Sequence, residues 1–242
     1  MSFLIGAATS NSGKTTVSVG LMRALSKRGL KVQPFKCGPD YIDTMFHEMA
    51  TGRKSVNLDT FMSSPEHVKH LFEHYGKDSD MSIVEGVMGL FDGHDSWHGS
   101  SAEIAMILDL PIVLVVNAKS VAYSVAPLIH GFKSFVPPIN GDAIIPERRE
   151  NFPEKRDAII PKRLNIAGVI FNQVASERHY QLLKSACADC EVTCLGYLPR
   201  NPKLSVPGRH LGLTISEKAN MENFISTAAE EIEKHVQLEL LI

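Results

Sequence analysis

Between an apolar run, FLIGAA at 3–8, and an amphipathic stretch from about Gly13 to Arg28, the chain reads GAATSNSGKTTV at 6–17. Parts in that order leave little choice of local fold. A run of strand length enters a turn of small residues, and Val17, Leu21, Ala24 and Leu25 then share one helical face, ended by Gly29. Backbone N–H groups of such a turn point at phosphate oxygens, and the helix N-terminus adds a favourable dipole. The spacing predicts a nucleotide-binding loop of Asn11, Ser12, Gly13, Lys14, Thr15 and Thr16. Lys14 would reach the β- and γ-phosphates of ATP, and Thr15 would place its hydroxyl on Mg2+. The usual spacing has glycine at position 8, where this chain has Ala8. A glycine-initiated helix with an exposed lysine is the plainer reading of the same residues.

Downstream, short apolar runs alternate with amphipathic ones. KVQPFK (31–36), MSIVEG (81–86), PIVLVVNA (111–118), NIAGVIFN (165–172) and EVTCLGYL (191–198) read as strands. PIVLVVNA is apolar throughout, as in strands buried on both faces of a parallel sheet. Helices are expected near 43–51, 65–75, 101–108, 121–135, 176–189 and 219–237. This rhythm predicts a doubly wound α/β fold with a mostly parallel sheet. The segment 137–163 breaks it: rich in proline and charge, with DAIIP at both 142–146 and 157–161, it reads as an inserted surface loop.

The carboxyl edge of such a sheet is where ligands bind, which singles out the acids at strand ends. Glu85 ends MSIV, and a carboxylate there needs a metal or lysine partner. Asp92 lies on the glycine-rich turn behind it, where Asp-Gly is also ordinary turn chemistry. In FKCGPDYIDTMFH (35–47), Lys36, Asp40 and Asp43 would border the γ-phosphate from the side opposite the loop. A Gly-Pro-Asp turn and an Asp43 helix cap account for the same residues.

Composition bounds the rest. A net charge of −2 gives no electrostatic case for nucleic acid or an anionic membrane. No apolar stretch approaches a membrane span, and the first residues lack a signal-peptide pattern, so a reduced, cytoplasmic setting is expected. Cys187 and Cys190 have a C-x2-C spacing without a second pair, which favours buried thiols with Cys194 rather than zinc. His70 and His74 share a helix face that reads as solvated.

Taken together, KCGPDYIDTMFH, NLDTFM (57–62), VEGVMGLFDG (84–93) and RHLGL (209–213) resemble the synthetase domain of the cobyrinate a,c-diamide synthase family. That family belongs with dethiobiotin synthetase and MinD among the P-loop NTPases. The resemblance implies that ATP phosphorylates the c and then the a carboxylate of a corrin dicarboxylate, and that ammonia displaces each phosphate. It makes Lys14 a catalytic phosphate residue, and Asp40, Asp43 and Glu85 catalytic acids, with Thr15, Asp43 and Glu85 at the Mg2+. Tyr41 and Ile42, with Lys36 and Asp92, would meet the substrate, and Asn172 and Pro199 would border the adenine. Asn172 reads equally as a strand-end turn residue. The family places a glycine where this chain has Ala7, and a methyl there would tighten the loop and lower nucleotide affinity.

The resemblance also implies a partner. Ammonia comes from a glutaminase domain or subunit, whose residues are not expected within 1–242, so the chain reads as a single synthetase domain. A homodimer is among the assemblies the family allows. Nickel-sirohydrochlorin diamide synthase, cobyric acid synthase and dethiobiotin synthetase remain alternatives of the same chemistry. A MinD- or ParA-like switch is a different class; its signature lysine is replaced by Thr9, and the stretch MENFISTAAEEIEKHV is acidic.

Overall fold

The computed structural model describes residues 1–138, 161–207 and 215–242. Most of the 137–163 insertion, with its repeated DAIIP, and the RHLGL block lie outside the described residues. Seven parallel strands form one sheet: β1 (Ser2–Ala7), β2 (Val32–Cys37), β3 (Val56–Leu58), β4 (Met81–Glu85), β5 (Ile112–Asn117), β6 (Ile166–Val174) and β7 (Cys194–Pro199). Their order is β3-β2-β4-β1-β5-β6-β7, and every pairing is parallel. The expected doubly wound α/β architecture is what the chain adopts, in wholly parallel form.

The helices are α1 (Lys14–Lys27), α2 (Ile42–Thr51), α3 (Pro65–Gly76), α4 (Ser101–Leu108), α5 (Val125–Ser134), α6 (Glu177–Asp189) and α7 (Ile215–His235). Alternation along the strands sends side chains to two separate cores. From β1, Leu4 enters one core and Phe3 and Ile5 the other; from β5, Ile112, Leu114 and Val116 oppose Val113 and Val115. The first core packs against α3, α4, α5 and α6, the second against α1, α2 and α7. Burial on both faces explains why β5 has no polar residue before Asn117.

β3 was not among the expected strands. Its three residues show no readable period, and only the pairing Phe35↔Val56, Lys36↔Asn57 and Cys37↔Leu58 defines it. The strand expected at 191–198 begins later, at Cys194, because Glu191 takes a left-handed φ of 51° in the turn that closes α6. Strand order reverses around β1, so the loop leaving β1 opens on a crevice at the carboxyl edge.

Candidate functional site: a phosphate loop facing an acid-lysine cluster

The loop from Ala8 to Gly13 links β1 to α1 at that crevice. Two residues turn it through the left-handed region, Asn11 at φ 60° and Gly13 at φ 96°. A Cβ on Gly13 would stand 2.0 Å from Asn172 Nδ2, so glycine is required there on two counts. Asn172, at the end of β6, donates from Nδ2 to the Ser12 carbonyl at 3.0 Å. Ser12 Oγ donates to the Thr9 carbonyl at 2.8 Å, bracing the loop at the position where a switch ATPase carries lysine. Ala7 and Ala8 have no positive φ, so their methyls impose no backbone strain. The first N–H groups of α1 have no carbonyl one turn earlier to bond, which leaves them for an anion.

Across the crevice, residues of β2, β4 and α2 converge on Glu85, which is fully buried. Thr15 Oγ1 donates to Glu85 Oε1 at 2.8 Å, and Lys36 Nζ lies 3.2 Å from the same oxygen. Lys36 Nζ also pairs with Asp43 Oδ2 at 2.8 Å and donates to the Gly86 carbonyl at 3.0 Å. His47 Nε2 stands 2.7 Å from Glu85 Oε2, while its Nδ1 is 2.9 Å from Ser55 Oγ. A cavity of about 560 Å³ joins the two sides, lined by Lys14, Thr15, Asp40, Asp43, Glu85 and Asn172 among others. Beside it a smaller, mostly apolar cavity of about 340 Å³ is lined by Pro39, Tyr41, Ile42 and Val87.

Charge is balanced within this group. Burial works against the Glu85 carboxylate, yet Lys36, the His47 hydrogen bond and the Thr15 hydroxyl hold its pKa far below the usual carboxylate range. Burial likewise opposes the Lys36 ammonium, but Glu85 and Asp43 outweigh it and raise the pKa. Asp43 is pushed up by burial and then by Glu85, against the pull of Lys36. Lys14 is lowered chiefly by burial; its Nζ donates to the Met88 carbonyl. Two lysines thus oppose two carboxylates before any phosphate enters.

The expected site residues make the following contacts in the structure. Lys36 lines the larger cavity, and its ammonium lies within hydrogen-bond reach of Asp43, Glu85 and the Gly86 carbonyl. Asp43 is not a helix cap: Asp40 Oδ1 accepts from the Ile42 and Asp43 N–H groups at 2.9 and 3.0 Å and so starts α2. Asp92 Oδ2 accepts from the Gly89 N–H at 2.9 Å, the turn role, and it lies outside the lining of both cavities. Pro199 ends β7 in register with Val174 and also lies outside that lining, whereas Leu204, Ser205 and Val206 belong to it. Tyr41 is 72% exposed over the apolar cavity, with Ile42 beside it.

His47 was missed, although it closes the quoted stretch FKCGPDYIDTMFH. The one available signal was its place one helical turn beyond Asp43, on the same face of α2. The four cysteines are free, and three of them, Cys37, Cys187 and Cys190, are buried. His70 and His74 are exposed and stack on each other with ring centroids 5.8 Å apart. Among the described residues no helix is long and apolar enough to cross a membrane.

A glycine-lysine-threonine loop at the reversal point of a parallel sheet, faced by a strand-end carboxylate on its threonine, defines a P-loop nucleotide-binding protein. The chain belongs to the family described as the CobQ/CobB/MinD/ParA nucleotide binding domain, which it matches over residues 3–213. It is 42% identical over 244 residues to a cobyrinate a,c-diamide synthase of Listeria monocytogenes, covering 99% of this chain and 48% of that protein. It is 41% identical over 241 residues to a hydrogenobyrinate a,c-diamide synthase of Brucella ovis, covering 99% of this chain and 50% of that protein. The chain therefore spans about half the length of the curated relatives it matches. Chloroplast FtsY from Physcomitrella patens shares the fold at a TM-score of 0.53 and 12% identity, covering 94% of this chain and 64% of that one.

Proposed function

We propose that this chain is the carboxylate-activating, ATP-binding part of a corrin a,c-diamide synthase, acting on cobyrinate or hydrogenobyrinate with ammonia as the nitrogen source. The observation that carries the reading is the shared cavity: phosphate loop on one wall, Asp40 and Asp43 on the other, an apolar recess under Tyr41 and Ile42 adjoining. The names of relatives matching nearly the whole chain agree with it.

A carboxylate is a poor electrophile, and phosphorylation supplies its leaving group. A substrate carboxylate oxygen bonds to the γ-phosphorus as the bond to ADP breaks; ammonia then adds to the acyl carbon and phosphate leaves. Lys14 and the N–H groups opening α1 hold the phosphates through this exchange. Asp40 and Asp43, at the start of α2, face the zone where the substrate carboxylate meets the γ-phosphate. Tyr41 and Ile42 present an apolar edge to a large ring.

The donor set fits magnesium. Thr15 gives its hydroxyl proton to Glu85, which leaves its lone pairs for a hard cation, and Glu85 and Asp43 add carboxylate oxygens in the same cavity. Thr15, Asp43 and Glu85 would hold Mg2+, which when bound neutralises phosphate charge. Glutamine-derived ammonia from a glutaminase domain or subunit is the natural supply, and the reaction here needs only the free base.

The test is an assay with ATP, Mg2+, an ammonium salt and cobyrinate. The expected products are ADP, phosphate and the mono- and diamides. Substitution Glu85→Gln should reduce turnover about 100-fold or more, a loss of the size seen for groups that stabilise transferring charge. ADP release no faster with cobyrinate than without it would sink the proposal.

A further inference from the structure

Glu85 touches the magnesium side of the site through Thr15, and one contact on it has no counterpart in the reading above. Its second oxygen, Oε2, has His47 Nε2 as partner at 2.7 Å, deep enough that the imidazole has no solvent exposure. A carboxylate accepts only, so Nε2 carries a proton there. On the other side of the ring, Nδ1 is hydrogen-bonded to Ser55 Oγ at 2.9 Å, which holds the imidazole at both nitrogens. The result is a hydrogen-bonded chain of Ser55, His47 and Glu85, ending where Thr15 is held.

We infer that His47 is a positioning residue for the nucleotide-metal site, orienting Glu85 so that its other oxygen receives Thr15 and Lys36. Without the imidazole, Oε2 of a fully buried carboxylate would lose its partner, and the side chain would rotate to find another. Rotation of Glu85 would release the Thr15 hydroxyl, whose lone pairs would no longer be aimed into the cavity. The same imidazole ties α2 to β4. It thus links the helix that begins with Tyr41, Ile42 and Asp43 to the strand end facing the phosphate loop. His47 acts through Glu85 and is not itself a lining residue of either cavity.

This inference rests on the proposed Mg-nucleotide site, and its test separates the two. Two amides dissect the imidazole. In His47→Gln the amide N–H reaches the Nε2 position and serves Glu85. In His47→Asn the amide reaches only as far as Nδ1, keeping Ser55 and abandoning Glu85. The readout is binding of a fluorescent ATP analogue as Mg2+ is titrated, with melting temperature measured in parallel. The asparagine variant should need about tenfold more Mg2+ for half-maximal binding, the scale of lost outer-shell support. The glutamine variant should recover most of that, and Mg2+-free nucleotide affinity should match wild type in both.

Equal shifts in the two amides, or none in either, would overturn the inference by making His47 a packing residue. Should the asparagine variant fail to fold, Ser55→Ala keeps the imidazole but removes the hydrogen-bond partner that holds its far side. A shift in the same direction, smaller than the roughly tenfold one expected of the asparagine variant, then supports the inference, and an unchanged Mg2+ midpoint overturns it. Wild-type protein whose nucleotide binding ignores Mg2+ would instead overturn the proposed function, a distinct outcome from equal amides.

Discussion

Gly13 shows how a single atom governs the site. Its φ of 96° excludes a side chain, and a Cβ there would drive into Asn172 Nδ2 at 2.0 Å. Gly13→Ala should therefore break both the loop turn and the brace from Asn172 to the Ser12 carbonyl. Strain of about 1–3 kcal/mol at such a position predicts a roughly five- to 150-fold loss of nucleotide affinity, readable by calorimetric titration. An alanine variant that bound ATP like wild type would show that the loop adopts another form when occupied. Gly13, Lys14 and Thr15 were legible in the sequence because their roles follow from contiguous backbone geometry. Lys36 was legible at the same edge, but its partner was not, and His47 was missed altogether, because each meets Glu85, which is 49 and 38 residues away. Proximity across strands β2 and β4 makes Lys36 a bridge between two acids at the cavity wall. Asn172 was legible as a residue of the site, while its grip on the loop carbonyl needed coordinates.

At the scale of elements, the helix that opens at the phosphate loop is held against the sheet by α7. Gly20, midway along α1, lets the two helices meet: a Cβ there would lie 2.8 Å from the Ile232 side chain and 3.0 Å from the Ala228 carbonyl oxygen. Ala228 is the small residue facing it. Gly20→Val should overpack this contact and cost about 1–3 kcal/mol, seen as a lower urea midpoint with unchanged slope. A midpoint at or above that of wild type would mean that α7 slides to accommodate the branch. Long periodic elements such as α1 and β5 were readable because their burial pattern repeats. β3 was not, since a three-residue edge strand is defined by its partner β2 and not by its own pattern. The NLDTFM stretch likewise gains its purpose from distance. Thr60 donates to Glu103 Oε2 at 2.5 Å, fastening the segment after β3 to the start of α4.

For the whole molecule, buried acids decide how the fold meets low pH. Glu103 is buried, which alone would raise its pKa, but His98, Thr60 and the Gly99 N–H together hold it below the 4.5 of a free glutamate. Glu85 is held below the same value by Lys36, His47 and Thr15. Carboxylates depressed in the folded state stabilise it fully above pH 4.5 and lose that contribution as pH falls through their folded values. Asp43 runs the other way. Raised from 3.8 by burial and by Glu85, it favours the folded chain most when protonated, and that share fades as pH climbs through its raised value. Two depressed glutamates against one raised aspartate leave a net loss in acid, so the urea midpoint should hold near neutrality and fall below about pH 4.5. Glu103→Gln separates the contributions. It keeps the shape but cannot ionise, so stability at pH 7 should drop by about 1–3 kcal/mol, the range for hydrogen bonds to a charged group. The acid fall should become shallower at the same time. An acid limb as steep as wild type in that variant would shift the whole acid sensitivity onto Glu85 and the nucleotide site.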